Sequence, residues 1–239
     1  MEIKKIISIL NIIKRCGYEA YLVGGSARDF IYGRDFTDID IATNCPLDVI
    51  SSKFEIEDDK GKAFGSIKIK YANIIAEITR FRIETYEDGN TFPKVIFVNK
   101  AEDDVKRRDF TVNAIYLDVD KNKVIDPTDG MHDLYNHLLK FIGDPKTRIK
   151  EDPTRIIRGL RIAYKLNLDI DKETDDAFKE NIKELDRLSS SRYKKEMTLM
   201  YNDIGINKTK KIIEEYKMED IDYECKENIW FPNSFSFKL

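Results

Sequence analysis

Gly24-Gly25-Ser26-Ala27-Arg28-Asp29 is followed closely by Asp38-Ile39-Asp40. Two carboxylates at i and i+2 on a strand project from the same face. Side by side they repel each other unless a cation lies between them, which is what a Mg²⁺ site needs. Two glycines at a strand-to-helix turn let the backbone approach an anion, and the helix that follows offers free N–H groups to phosphates. Arg28, one helical turn inside, adds a bidentate phosphate donor. A D-x-D on a strand edge and a G-G at a turn are each common. Their order and short separation here assemble a metal–triphosphate site.

The rest of the composition narrows the chemistry. The chain has only two histidines, His132 and His137, which argues against His-rich metal catalysis and a Ser-His-Asp triad. Its three cysteines, Cys16, Cys45 and Cys225, are far apart and form no C-x-x-C, so neither a disulfide framework nor a zinc site is expected. With 41% hydrophobic residues in 239, a real core is available and disorder is excluded. No apolar run approaches a membrane span, and Asn11, Lys14 and Arg15 interrupt the N-terminal segment where a secretory signal would be apolar. A cytoplasmic protein with no membrane partner is the expectation.

Several elements must position these residues. Ile3, Ile6, Ile7, Leu10 and Ile13 predict a helix over 2–16, followed by a strand from Glu19 to Val23 and a helix from Gly24 through Tyr32. Asp38 to Thr43 alternates like a half-exposed strand. A helix is predicted from Pro46 to Phe54, and a strand pair from Ser66–Tyr71 with Ile74–Phe81. Residues 83–94, with Asp88-Gly89-Asn90, read as a mobile loop. Beyond 144 the pattern is helical, over 152–167, 173–187, 190–202 and 206–217. Strands first and helices after predict an α+β head followed by an all-helical module. The segment from Glu219 to Leu239 receives no assignment.

The head signature resembles that of class II tRNA nucleotidyltransferases (CCA-adding enzymes) and the related bacterial poly(A) polymerases, and the resemblance continues along the chain. Glu77-Ile78-Thr79-Arg80-Phe81-Arg82 looks like the family's strand with a third acidic residue. Arg107-Arg108-Asp109-Phe110-Thr111-Val112-Asn113-Ala114 is similar to its ribose-contacting motif. Asp126-Pro127-Thr128-Asp129-Gly130 with Asp133-Leu134 fits the hinge between head and neck. Glu151-Asp152-Pro153-Thr154-Arg155-Ile156-Ile157-Arg158-Gly159-Leu160-Arg161 resembles the nucleobase-reading helix, and Ser191-Arg192-Tyr193-Lys194-Lys195-Glu196 the last neck motif.

The resemblance implies a polymerase-beta-like nucleotidyltransferase head with a mixed sheet over 1–143, a helical neck over 144–217 and a short extension over 218–239. It implies that Asp38 and Asp40 hold two Mg²⁺ ions, with Glu77 as third catalytic carboxylate. Gly24, Gly25, Arg28, Arg107, Arg108, Asp109 and Asn113 would bind the nucleotide's triphosphate and ribose. Asp152 and Arg155, at i and i+3 of one helix, would read its base. An Arg donates and an Asp accepts, a pattern that cytosine and adenine complement and that uracil and guanine oppose. A wrong base leaves buried polar groups unpaired, at about 1–3 kcal/mol each. On an unrelated helix the same pair would be an ordinary ion pair worth ~0.3–0.5 kcal/mol. Arg158 and Arg161 continue the face and would stack on the base or touch phosphates. The loop at 83–94 corresponds to the family's flexible loop.

The family's enzymes are commonly longer, whereas 43 residues follow the last motif here. A head and neck with little tail is therefore expected. Residues 140–165 hold eight Lys/Arg against three Asp/Glu, which suits local contact with an anion such as nucleotide or RNA backbone. The expected function is transfer of CMP or AMP from CTP or ATP to an RNA 3′ end, most simply tRNA. Partial (CC or A) addition and homopolymer tailing remain within the same chemistry. A catalytically idle RNA-binding protein is the reading from another class. The sequence sets no oligomeric state.

Overall fold

Apolar residues at helical spacing make α1 (Ile3–Arg15), which buries Ile6, Ile9, Leu10 and Ile13. The structure is a computed structural model and describes residues 3–87, 91 and 93–220. It divides into two compact units, Met1–Asn136 and His137–Leu239.

In the first unit the order after α1 is β1 (Ala20–Leu22), α2 (Gly24–Ile31), β2 (Asp40–Thr43), α3 (Leu47–Ser51), β3 (Glu55–Asp58), β4 (Ser66–Tyr71) and β5 (Ile74–Arg80). There follow β6 (Arg82–Thr85), β7 (Lys94–Phe97), α4 (Ala101–Asp104), β8 (Tyr116–Asp118), β9 (Lys123–Ile125) and α5 (Gly130–Tyr135). A seven-stranded mixed sheet runs β3-β4-β5-β2-β1-β8-β9. Its neighbours are antiparallel except β2 and β5, which are parallel with Asp40 opposite Glu77 and Ile41 opposite Ile78. Registered partners leave the sheet on the same face. Ile41, Ile67, Ile69, Ala76 and Ile78 are therefore buried on one face with α1 and α3, and Asp40 and Glu77 stand on the other.

The segment expected as a loop over 83–94 is mostly strand at its ends. β6 and β7 pair antiparallel, from Arg82 opposite Phe97 to Thr85 opposite Lys94. Ile83, Val95, Ile96 and Phe97 favour extended backbone, but Glu84, Thr85 and Lys94 between them hid the alternation. Asp88-Gly89-Asn90 lies outside the described residues.

The second unit contains β10 (Leu138–Leu139), α6 (Pro145–Glu151), α7 (Thr154–Leu166), β11 (Asp169–Ile170), α8 (Lys172–Glu180), α9 (Ser190–Ile204) and α10 (Ile206–Glu215). Among its described residues the regular structure is helical apart from the two-residue parallel pair β10–β11. The helix predicted over 152–167 is α7, which starts two residues later, at Thr154. Pro153 lacks an N–H and drives the residue before it to extended backbone, so Asp152 (φ -144°, ψ 98°) separates α6 from α7. The aromatic stretch after 220 lies outside the described residues.

Candidate active site

The turn entering α2 packs directly on the carboxylate strand. Gly24 has φ +67°, and a Cβ built there would lie 3.1 Å from Asp40 Oδ2, so a side chain would crowd that oxygen. Ser26, buried two residues further on, fixes the backbone of Asp40. Its hydroxyl accepts from Asp40 N at 3.1 Å and donates to Val23 O at 2.8 Å. Val23 N in turn donates to Asp40 O at 2.9 Å. Asp38 is exposed and precedes β2 rather than lying in it. The residue between the two aspartates, Ile39, accepts through its carbonyl from Glu77 N at 2.8 Å. Glu77 thus stands beside the D-x-D segment, and its Oε1 accepts from the Ser66 hydroxyl at 2.6 Å.

Arg28 is buried and grips the next residue, with Nε and Nη2 donating to the two oxygens of Asp29 at 2.9 and 3.1 Å. Its Nη1 donates to Asn113 Oδ1 at 2.6 Å. Asp109 Oδ1 accepts from Phe110 N at 2.8 Å and from Asn113 Nδ2 at 3.4 Å. The Gly-Gly helix and the segment around 109–113, far apart in sequence, therefore meet through Arg28 and Asn113.

Arg107 and Arg108 converge on a residue the sequence reading did not select. Asp104 is fully buried and accepts from Arg107 Nε at 2.7 Å, Arg108 Nη2 at 3.1 Å and the Tyr116 hydroxyl at 2.6 Å. Burial alone would raise its carboxyl pKa, but Arg107 and Arg108 hold it down at about 2. Burial raises the Tyr116 hydroxyl, and the Asp104 charge adds to that. The spacing of Asp104, Arg107 and Arg108 at i, i+3 and i+4 was the available signal.

In the second unit the expected pair is partnered differently. Asp152 Oδ1 accepts from Thr154 N at 3.1 Å, from the Thr154 hydroxyl at 2.7 Å and from Arg192 Nη2 at 2.9 Å. It caps the start of α7 instead of sharing a helical face with Arg155. Arg155 is buried and donates through Nη1 to Arg148 O and to Glu151 Oε2, each at 2.7 Å. Arg158 is half-buried on α7. Arg161 donates to Asp203 Oδ2 at 2.7 Å and Lys165 to Oδ1 at 2.8 Å, which ties α7 to α9. Arg192, from the last neck motif, is thus a direct partner of Asp152.

Residues 20–140, just over half the chain, match the Poly A polymerase head domain family. The chain belongs to this family. The CCA-adding enzymes of Streptococcus agalactiae and Staphylococcus haemolyticus are similar to it. Each is 42% identical, over 192 residues (80% of this chain, 48% of that protein) and 185 residues (77% and 46%) respectively. Among solved structures, the Bacillus stearothermophilus CCA-adding enzyme in complex with CTP superposes with a TM-score of 0.79 at 29% identity. That match covers 90% of this chain and 52% of the other. The chain spans about half the length of the curated relatives it matches. The mixed sheet and helices expected from sequence are those of this fold.

The donor set of this poly A polymerase head domain suits Mg²⁺. Asp38, Asp40 and Glu77 all carry hard oxygen donors. Among the described residues no three His, Cys, Asp or Glu side chains converge on one point to hold an ion unaided. No helix among the described residues is long and apolar enough to cross a membrane.

Proposed function

We propose that the chain carries the catalytic part of a template-independent RNA nucleotidyltransferase. It would move CMP or AMP from CTP or ATP to an RNA 3′-hydroxyl, most simply that of a tRNA lacking its terminal CCA. The bond from the 3′ oxygen to the α-phosphorus forms, the bond from that phosphorus to the β-phosphate oxygen breaks, and pyrophosphate leaves. The reading rests above all on Gly24 packed against Asp40 in a chain of this family, a phosphate-approach turn set on a metal-type carboxylate. Work on such nucleotide and RNA substrates would take place in the cytoplasm.

Asp38 and Asp40 would hold two Mg²⁺ ions, which when bound neutralise the phosphates and polarise the phosphoryl oxygen. Glu77 adds negative charge beside them on the neighbouring strand. Gly24 and Gly25 open the backbone to the triphosphate, and Arg28, Arg107 and Arg108 supply positive charge near it. Asp109 and Asn113 meet the ribose hydroxyls. Asp152 accepts from the base amine of C or A and Arg155 donates to its ring nitrogen. Arg158 and Arg161 support the base and phosphates from α7. The head supplies the chemistry and the helical unit the choice of base.

The test is a tRNA transcript lacking its 3′ CCA, incubated with the purified chain, Mg²⁺ and each NTP alone, then CTP with ATP, and resolved at single-nucleotide length. Addition of C, C and A with UTP and GTP refused is expected. Addition of C only, A only or a homopolymer would keep the chemistry and change the product. Failure to extend any RNA would overturn the reading.

A further inference from the structure

Asp104 ends α4, and both oxygens of its carboxylate accept hydrogen bonds. Oδ1 accepts from Arg107 Nε at 2.7 Å and from the backbone N–H of Arg82 at 2.9 Å. Oδ2 accepts from Arg108 Nη2 at 3.1 Å and from the Tyr116 hydroxyl at 2.6 Å. That hydroxyl also accepts from Arg108 Nε at 2.7 Å, and the Arg108 guanidinium lies 4.9 Å from the Tyr116 ring centre. Glu84 joins the same group, 2.7 Å from Arg82 Nη2 and 3.8 Å from Arg107 Nη1.

Arg82, Arg107, Arg108, Glu84 and Asp104 thus form one connected group of arginines and carboxylates. Burying paired charges gains little stability over an apolar packing of similar size. The network instead holds the Arg107 and Arg108 guanidinium groups in a fixed orientation, as contact with a nucleotide requires. We propose that Asp104 is a positioning residue for the nucleotide: it sets the guanidinium planes of Arg107 and Arg108 so that their charge meets the incoming ribose-triphosphate. The inference rests on the nucleotidyltransferase reading above and adds a residue to it. Tyr116 acts with Asp104, since its hydroxyl bridges Arg108 Nε and Asp104 Oδ2.

The experiment compares the full 239-residue chain with Asp104→Asn, which keeps the shape of the side chain and removes its charge. CTP and ATP affinities are measured by calorimetric titration with Mg²⁺, KM and kcat by extension of a truncated tRNA, and folding by circular dichroism. A folded Asp104→Asn variant whose Kd and KM rise by about 10-fold, with kcat within about 3-fold, supports the proposal. A folded variant with unchanged Kd and KM overturns it while leaving the nucleotidyltransferase reading intact. A role in folding alone would lower the melting temperature without moving nucleotide affinity. Should Asp104→Asn fail to fold, Tyr116→Phe decides. A weakening of Kd by about 3-fold supports the proposal, and an unchanged Kd overturns it. A parent chain that binds neither nucleotide overturns both readings together.

Discussion

Asp152 accepts a hydrogen bond from the Arg192 guanidinium at 2.9 Å, which joins the start of α7 to the first turn of α9. The bond fixes one oxygen of the carboxylate proposed to read the base. Arg192→Ala should therefore loosen base choice more than it slows transfer. We expect misincorporation of UTP or GTP, relative to CTP, to rise by about 10-fold, the equivalent of about 1.4 kcal/mol. Single-nucleotide extension assays with competing NTPs measure it, and unchanged selectivity would remove Arg192 from base reading.

Asp38→Ala combined with Asp40→Ala should abolish transfer while sparing the fold. Asp38 is exposed, and Asp40 is held through its backbone by Ser26 and Val23. Extension should fall by at least about 10³-fold, with circular dichroism unchanged and RNA binding retained in a gel-shift assay. Transfer at the parent rate would mean that these carboxylates do not carry the chemistry.

Ser26→Ala tests the support of the site rather than its ligands. Removing the hydroxyl leaves the half-buried Asp40 N–H without that acceptor, a cost of about 1–3 kcal/mol. The expected result is a lower kcat and a higher Mg²⁺ requirement with little change in the KM for CTP. A normal Mg²⁺ titration would refute it.

Gly130 tolerates no side chain for a reason of space. A Cβ there would lie 2.2 Å from the Thr111 carbonyl oxygen, which is backbone and cannot rotate away. Gly130→Ala should destabilise the first unit by about 2–4 kcal/mol, lowering its melting temperature by roughly 5–15 °C. A melting curve superimposable on the parent's would show that the backbone yields there.

Acid sensitivity follows from Asp104. Its folded pKa, about 2, lies below the unfolded value of about 3.9. Its ionic contribution is therefore fully present above about pH 5 and is lost as pH falls through 4 towards 2. The stability gap between the parent and Asp104→Asn should shrink by about 2 kcal/mol over that window. Urea unfolding at stepped pH values reads the gap, and a constant gap would count against the charge of Asp104.

Local features were legible in the sequence and long-range ones were not. The Gly-Gly turn, Arg28 and the D-x-D segment lie within one short stretch, 24–40, so their types and order already pointed to phosphate and metal. Glu77 could be chosen by motif, but its place opposite Asp40 depends on a parallel pairing that periodicity does not report. Asp104 sits in a run, Glu102-Asp103-Asp104-Val105-Lys106-Arg107-Arg108, that reads as a solvated charged face. Only the fold reveals that one of those acids is fully buried. The i, i+3 argument for Asp152 and Arg155 assumed a continuous helix. Pro153 interrupts it and sends the two side chains to Arg192 and Glu151.

The parallel pairing of β2 with β5 also has a kinetic consequence. Parallel neighbours cannot be joined by a tight turn, so the chain between Asp40 and Glu77 passes through α3, β3 and β4 before returning. The β4–β5 hairpin can form on its own by local zipping, and α1 by local coiling. The carboxylate row must wait for the longer closure, whose entropy is lost before its contacts form. The pairing of Asp40 with Glu77 is then expected among the last contacts a refolding molecule regains, later than its helical signal.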